Sequence, residues 1–219
     1  MSEALQQAAG ERLRRALAAL TRTPLTGALA GMVVTAVMQS SSATTVMVIG
    51  FVSAGLLELP QAVAVIFGAN IGTTVTAQLL AFRVEELLGL VLFGGFFLCA
   101  VARTKRGLAG AVPVLLGDNV GTTITAILAA AGGTRDAKRA AAAHCCFNLS
   151  GSLVCLLALP WFVRLVELLP PEGEELEIIA RQIANAHTLF NALCTLIWLP
   201  LTPLMVRLVT TLVPEKRTE

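Results

Sequence analysis

Charged residues are scarce in this chain, aromatic residues are scarcer, and tyrosine is absent. Asp, Glu, Lys and Arg make up 14% of the 219 residues, whereas an average soluble domain has roughly 25%. Basic residues exceed acidic ones by only two, 16 against 14, so the charge gives no reason to expect binding to nucleic acid. Hydrophobic residues reach 56% and the mean hydropathy is +0.78, which predicts an integral membrane protein.

Catalytic and metal-binding groups are also scarce. The two histidines, His144 and His187, form no H-x-x-x-H or H-E-x-x-H group, and we predict that they form packing hydrogen bonds in helices. The cysteines are odd in number, lack C-x-x-C spacing and lie in apolar segments, so we interpret them as buried side chains with free thiols. We therefore expect neither an enzyme nor a transition-metal or organic-cofactor site. The five cysteines are Cys99, Cys145, Cys146, Cys155 and Cys194.

The first 22 residues lack the continuous apolar core of a signal peptide, because glutamates and arginines interrupt them. Leu5, Leu13, Leu17 and Leu20 fall on one side of a helical projection, and arginines fall on the other. We predict an amphipathic helix that either lies along the cytoplasmic membrane surface or caps the helix bundle.

Seven apolar segments follow, and we predict that all are helical because no alternating pattern indicates a β-barrel. At roughly 20 residues per crossing they allow about five or six transmembrane helices. The first two segments are short and are separated by the polar string MQSSSATT at 38–45. We predict a helix, a break and a second helix there, as a re-entrant hairpin or one discontinuous span. The segments are 24–37, 43–58, 61–82, 87–102, 107–132, 139–164 and 183–212.

Basic residues cluster at 103–106 (RTKR) and 135–139 (RDAKR), on either side of the apolar segment 107–132. If both loops are cytoplasmic, this segment enters and leaves on one side and is a second re-entrant segment. If one loop is external, it is a plain span. The acidic stretch 170–177 (PPEGEELE) is predicted to be an external loop.

Two motifs occur twice. GANIGTTVTA at 68–77 recurs as GDNVGTTITA at 117–126, with seven of ten positions identical. AHCCFN at 143–148 recurs as AHTLFN at 186–191. Paired motifs in paired apolar segments are typical of transporters assembled from structural repeats, whose binding site lies where the repeats meet.

The residues of the polar string are all neutral. Hydroxyl, amide and opened backbone carbonyl oxygens suit a hard monovalent cation such as sodium, and freed N–H groups at a half-helix N-terminus suit an oxyanion. Without an acid or base in the string, a bound anion would need co-bound cations, which favours ion-coupled anion transport over a proton relay. The alternative is that these serines and threonines only pack and bond back to the preceding turn.

These motifs resemble a known family. QSSS at 39–42, followed about thirty residues later by GANIGTT, is similar to the first repeat of the sodium-dependent phosphate cotransporters, the type II Na/Pi cotransporters and their bacterial relatives. GDNVGTTITA and the A-H-x-x-F-N motifs resemble the second repeat, and the similarity covers about residues 24–205. The resemblance implies an inverted-repeat fold in which two QSSS turns meet near the middle of the membrane and bind sodium and phosphate.

By this resemblance, substrate and sodium bind to the QSSS turn and to both copies of the duplicated motif. Asp118, the one acid within an apolar segment, is either a cation ligand or a loop residue near the interface. Asn148 and Asn191 are expected to be structural. The residues expected to hold sodium are Gln39, Ser40, Ser41, Thr73 and Thr122. The full set of expected binding residues is Gln39, Ser40, Ser41, Ser42, Thr44, Asn70, Thr73, Thr74, Asp118, Asn119, Thr122 and Thr123.

The sequence departs from the family's pattern because it holds only one QSSS, and the interval 76–117 is too short for a span, a second hairpin and the following helix. We expect that an internal block is missing, together with the PhoU-like domain of many bacterial members. Either two chains associate and each supplies a QSSS, or the protein is a reduced form. We expect a homodimer or a complex with a related subunit, in a bacterial plasma membrane.

The leading hypothesis is sodium-coupled transport of inorganic phosphate by alternating access around the QSSS turn, with sodium as the coupling ion. The alternative is a truncated, non-transporting membrane module that binds phosphate or a partner subunit. The expected organisation is an amphipathic helix at 1–22, a first repeat at 23–82, a connecting span and basic loop at 83–106, a partial second repeat at 107–212 and a tail at 213–219.

Overall fold

A computed structural model describes residues 2–82, 105–169 and 175–215 of the chain. These residues form helices and connecting turns without a strand, which confirms the all-α prediction. The predicted span at 87–102 lies outside the described residues, as do Cys99, residues 103–104 of the loop at 103–106 and residues 170–174 of the stretch at 170–177. The helices are α1 (Ser2–Leu20), α2 (Pro24–Met38), α3 (Ser41–Ser53), α4 (Leu59–Phe82), α5 (Lys105–Gly121), α6 (Thr123–Ala130), α7 (Arg135–Leu157), α8 (Leu159–Glu167), α9 (Glu175–Trp198) and α10 (Thr202–Leu212).

Two stretches of the described residues are long and apolar enough to cross a membrane, Leu108–Ala130 and Arg135–Leu157. The first joins α5 and α6 into one continuous stretch, so by its length the segment predicted at 107–132 matches the plain span rather than a re-entrant turn. Two bent helix pairs raise the number of spans to at most four in the part of the chain described. The prediction of five or six crossings is therefore not confirmed.

The sequence pattern separated the helices of the first bent pair but predicted the second pair as one segment. Helix α1 meets α2 at 110°, and α9 meets α10 at 88°. Residues 183–212 were expected to be one segment, but Pro200 and Pro203 interrupt the backbone hydrogen bonds of α9 and favour a new helix start. Pro160 likewise ends the predicted segment 139–164 early and begins the short helix α8.

Large apolar side chains cover much of the outer surface of the described helices. Val37 of α2 is 79% exposed, Leu157 of α7 is 80% exposed and Leu196 of α9 is 72% exposed. A soluble protein rarely exposes so many large hydrophobic residues, whereas lipid accommodates them without cost. The described surface is that of a membrane protein.

Glycine permits the closest helix contact in the fold, between α2 and α4. A Cβ atom added at Gly68 of α4 would collide with the backbone of Ala28, and one added at Gly31 of α2 would collide with the backbone of Val65. Thr35 follows on the same face of α2, where a Cβ at Gly72 would come within 2.6 Å of its Cβ. Small residues four apart on both helices thus bring the two backbones together.

The second copy of the motif has no such contact. Gly117 and Gly121 correspond to Gly68 and Gly72, yet no atom among the described residues lies within 4 Å of a Cβ added at either position. Within the part of the chain that the structure describes, no helix covers the face of α5 that corresponds to the α2-covered face of α4.

Candidate functional site

The polar string forms the break between α2 and α3, as predicted. Gln39 ends α2 in the left-handed conformation with φ 54°, the one described non-glycine residue with positive φ, and its N–H donates to the carbonyl of Thr35 at 2.7 Å. Such a conformation costs roughly 1–2 kcal/mol. Ser40 then begins α3 as its N-cap, because its Oγ accepts a hydrogen bond from the N–H of Ala43 at 3.2 Å.

A buried hydroxyl pair joins the two sides of the break. Thr35 Oγ1 donates to Thr44 Oγ1 at 2.9 Å, and both residues are fully buried. Ser41 and Ser42 are half-buried in the first turn of α3, whereas the side chain of Gln39 is exposed. The backbone N–H groups at the start of α3 therefore lie beside a polar surface, with the helix dipole directed toward it.

Helix α3 lies between the two copies of the duplicated motif. It packs against α4, which carries the first copy, against α6, which contains the last four residues of the second copy, and against α7. Asn70 is 6% exposed and Asn119 is 8% exposed. The Nδ2 atoms of both asparagines are buried and lack a hydrogen-bond partner among the described residues, as does Thr45 Oγ1 on α3. A buried donor without a partner costs roughly 1–3 kcal/mol, so a ligand that accepts its hydrogen bond is stabilised there.

The Thr-Thr pair of each motif uses its hydroxyl hydrogens locally. Thr73 and Thr74 donate to carbonyls of α4, and Thr122 and Thr123 donate to carbonyls at the end of α5, at 2.6–3.2 Å. A hydroxyl that has donated its hydrogen still has oxygen lone pairs, so these groups act as acceptors toward anything else.

The two A-H-x-x-F-N motifs have the same local structure. Asn148 Nδ2 donates to the carbonyl of His144 at 3.0 Å, and Asn191 Nδ2 donates to the carbonyl of His187 at 3.1 Å. The phenylalanines of both motifs are fully buried. Both asparagine amides are thus occupied within their own helices, which matches the structural role expected for them.

Contacts between the motifs are also repeated. Ser152, four residues after Asn148, donates to the carbonyl of Leu116 at 3.3 Å. Thr195, four residues after Asn191, donates to the carbonyl of Phe67 at 3.3 Å. Leu116 and Phe67 each directly precede the first glycine of their motif. The first glycine motif therefore pairs with the second histidine motif, and the second glycine motif pairs with the first histidine motif.

His187 hydrogen-bonds directly to a predicted site residue. Its Nε2 lies 3.1 Å from Oδ1 of Asn119, which confirms its predicted role as a hydrogen bonder between helices. His144 is completely buried, and neither of its ring nitrogens has a hydrogen-bond partner among the described residues. The predicted packing hydrogen bond of His144 is therefore absent from this part of the chain.

Two predicted site residues have exposed side chains. Asp118 lies within α5, directly before Asn119, which does not fit the alternative of a loop position. Gln39 is exposed at the helix break. The cysteines Cys155 and Cys194 are buried and Cys145 and Cys146 are half-buried, all as free thiols.

The fold and this site define a helical membrane protein in which a polar helix break packs beside a duplicated asparagine motif. Residues 1–110, half of the chain, match the family model described as Na+/Pi-cotransporter, and the chain belongs to that family. This confirms the family that the QSSS and GANIGTT motifs predicted.

Individual relatives match over shorter stretches. The Bacillus subtilis protein YqeW, whose function is uncharacterized, is 39% identical over 89 residues, 40% of this chain. Sheep sodium-dependent phosphate transport protein 2A is 44% identical over 63 residues, 29% of this chain. Escherichia coli YjbB, named as a candidate inorganic phosphate export protein, is 40% identical over 91 residues, 41% of this chain. The matched parts make up 29%, 10% and 17% of these relatives' lengths. No solved structure matches the chain.

Proposed function

We propose that the protein transports inorganic phosphate across the bacterial plasma membrane together with sodium. The observation that carries this proposal is the QSSS helix break between α2 and α3, both of which pack against α4, in a chain of the Na+/Pi-cotransporter family. The amide donors of Asn70 on α4 and of Asn119 are buried and lack a partner among the described residues.

Phosphate would be held by neutral donors. The Nδ2 groups of Asn70 and Asn119 are buried with hydrogens unspent, and the first N–H groups of α3 at Ser41 and Ser42 lie at the positive end of the helix dipole. Donors of this kind in a low-dielectric site bind an oxyanion strongly without a fixed positive charge. Charge balance then requires a cation to bind with the anion.

Sodium would be held by oxygen atoms. Thr73 and Thr122 have donated their hydroxyl hydrogens to their own helices and keep lone pairs for a cation. Ser40 Oγ accepts one hydrogen bond from the N–H of Ala43 and keeps a second lone pair for a cation. Gln39, at the C-cap of α2, would offer its carbonyl oxygen. We propose that Gln39, Ser40, Ser41, Thr73 and Thr122 supply sodium ligands, with Ser42, Thr44, Thr74 and Thr123 completing the cavity.

Transport would proceed by alternating access around the break. Gln39 is held in a left-handed conformation that its side chain does not favour. A residue of this kind between two helices absorbs a change in backbone angles more readily than a residue within a helix. We propose that binding of sodium and phosphate together removes most of the net charge of the site and allows the loaded form to reorient.

A second copy of the chain would complete the site. The family's pattern has two QSSS turns, whereas this sequence has one at 39–42. On the first motif α2, which precedes the QSSS turn, covers the glycine face, whereas no described residue covers the corresponding face at Gly117 and Gly121. Association of two chains supplies the second QSSS turn.

The same open face favours a second candidate function. A protein with one QSSS hairpin instead of two could bind phosphate, or a related subunit, without moving phosphate across the membrane. Phosphate binding by a detergent-solubilised monomer that transports none after reconstitution would support this candidate over the first.

Uptake into proteoliposomes tests the proposal. We expect radiolabelled phosphate to accumulate when sodium is outside, and to remain near the background of empty liposomes when choline replaces sodium. Equal uptake with the two cations would contradict sodium coupling, and no uptake with either would contradict transport.

A further inference from the structure

The contact between Asn119 and His187 determines which atoms of the amide remain free. An amide oxygen accepts but cannot donate, so Nε2–H of His187 donates to Oδ1 of Asn119 at 3.1 Å. Both hydrogens of Asn119 Nδ2 remain unspent in a buried position. The histidine thus orients the amide so that its donor group is available.

The first copy of the motif presents the same two groups, but without a direct bond. Asn70 is 6% exposed and His144 is 0% exposed. Nδ2 of Asn70 and both ring nitrogens of His144 are buried and lack a partner within the described residues. In the repeated motifs, Asn70 corresponds to Asn119 and His144 corresponds to His187.

An aromatic contact places these groups near one helix crossing. The rings of Phe67 on α4 and Phe147 on α7 are stacked with centroids 4.9 Å apart. Asn70 lies three residues after Phe67, and His144 lies three residues before Phe147. Residues three apart on a helix share a face and lie within one turn. Asn70 and His144 are therefore on the two faces that meet where the rings stack.

The repeated contacts support the same arrangement. Each serine or threonine four residues after a histidine motif's asparagine donates to the carbonyl that precedes a glycine motif. The exchange of partners between the two copies is the relation that a two-fold axis produces. It maps the pair Asn119 and His187 onto the pair Asn70 and His144.

We propose that His144 and His187 are matched positioning residues, each of which orients the asparagine amide of one glycine motif toward the bound oxyanion. At Asn119 the contact is direct, and at Asn70 one buried water molecule joins the amide to the ring of His144. A buried water accepts one hydrogen bond and donates another, so it can join one amide hydrogen of Asn70 to one ring nitrogen of His144. What the amides bind rests on the proposed function, whereas the pairing itself does not.

Thermal unfolding in detergent tests the pairing without transport. We expect alanine substitution of Asn70 or of His144 to lower the melting temperature by roughly 4–8 °C, because each leaves a buried polar partner. The double substitution should lower it by clearly less than the sum, and the pair Asn119 and His187 should behave alike. The crossed doubles, Asn70→Ala with His187→Ala and Asn119→Ala with His144→Ala, should be additive.

Additive effects for Asn70 and His144, or equal non-additivity in the crossed doubles, would overturn the pairing. If an alanine variant fails to fold, the cycle is run with His144→Leu and His187→Leu, which remove the hydrogen-bonding ring nitrogens but keep much of the side-chain volume. The same criteria then apply to those variants.

The kinetics of uptake test the positioning role. We expect His144→Ala to raise the KM for phosphate about tenfold, which corresponds to roughly 1.4 kcal/mol of lost binding free energy. The maximal rate per folded protein should change less. His144→Gln should restore most of the wild-type KM. An unchanged KM with a lower maximal rate would show a merely structural role and overturn the proposal. If the wild-type protein does not transport, the proposed function fails, and the melting temperatures still decide the pairing.

Discussion

The contact between α2 and α4 predicts opposite effects of one substitution at two equivalent positions. In Gly68→Ala, the new Cβ would overlap the carbonyl and Cα of Ala28, which are backbone atoms and cannot move aside by rotating a side chain. The helices must separate, and the packing at Gly27, Gly31 and Gly72 loosens with them. In Gly117→Ala, the new methyl group meets no described atom within 4 Å.

The magnitudes follow from known costs. Overpacking by one methyl group destabilises a close-packed interface by about 1–3 kcal/mol, and the intrinsic gain of alanine over glycine in a helix is about 1 kcal/mol. For a chain of this size each kcal/mol shifts the melting temperature by roughly 2–4 °C. We expect Gly68→Ala to lower the melting temperature by several degrees, and Gly117→Ala to leave it unchanged or raise it by roughly 2–4 °C.

Fluorescence-detected thermal unfolding of the detergent-solubilised monomer measures both shifts. The two glycines occupy the same position of the duplicated motif, so each variant is the control for the other. A melting temperature for Gly68→Ala at or above that of the wild type would refute the close contact. Equal destabilisation by both variants would refute the open face on α5.

Two further predictions concern buried polar contacts. Thr44→Val removes the acceptor of the Thr35 hydroxyl and should cost about 1–3 kcal/mol, seen as a lower melting temperature, whereas Thr211→Val on an exposed face should change little; equal shifts would contradict the buried bond. Arg139 is 9% exposed and donates hydrogen bonds to the carboxylates of Asp136 and Glu215 and to the carbonyl of Val213. Arg139→Gln should therefore lower the melting temperature by several degrees. Glu215→Gln should lower it by far less, because that carboxylate is 73% exposed and such pairs contribute about 0–1 kcal/mol; the reverse order would contradict this account.

The helix break and the duplicated motifs could be predicted because they leave local marks in the sequence. The polar string interrupts an apolar stretch and contains serines, which favour helix N-caps. The helix break occurs within it, at Gln39 and Ser40. The repeat of G-x-N-x-G-T-T identified α4 and α5, whose Asn70 and Asn119 are buried.

Other features depend on tertiary contacts, which a single sequence does not specify. The two copies of the glycine motif are alike, yet Gly68 is covered by α2 and Gly117 is open. The hydrogen bond of His187 to Asn119 joins residues far apart in the chain, although the recurrence of A-H-x-x-F-N was a signal that both histidines occupy equivalent places. The 88° bend between α9 and α10 was missed even though Pro200 and Pro203 mark it.

The initial rate of sodium-driven phosphate uptake by Ser41→Ala proteoliposomes tests the central claim most directly. Ser41 lies in the first turn of α3 at the helix break, and Ser53→Ala at the other end of the same helix is the matched control. The account predicts a loss of at least about tenfold for Ser41→Ala, which corresponds to one lost interaction of roughly 1.4 kcal/mol, with Ser53→Ala close to the wild type. Full sodium-dependent uptake by Ser41→Ala, at an equal amount of folded protein, would contradict the assignment of the QSSS turn as the transport site.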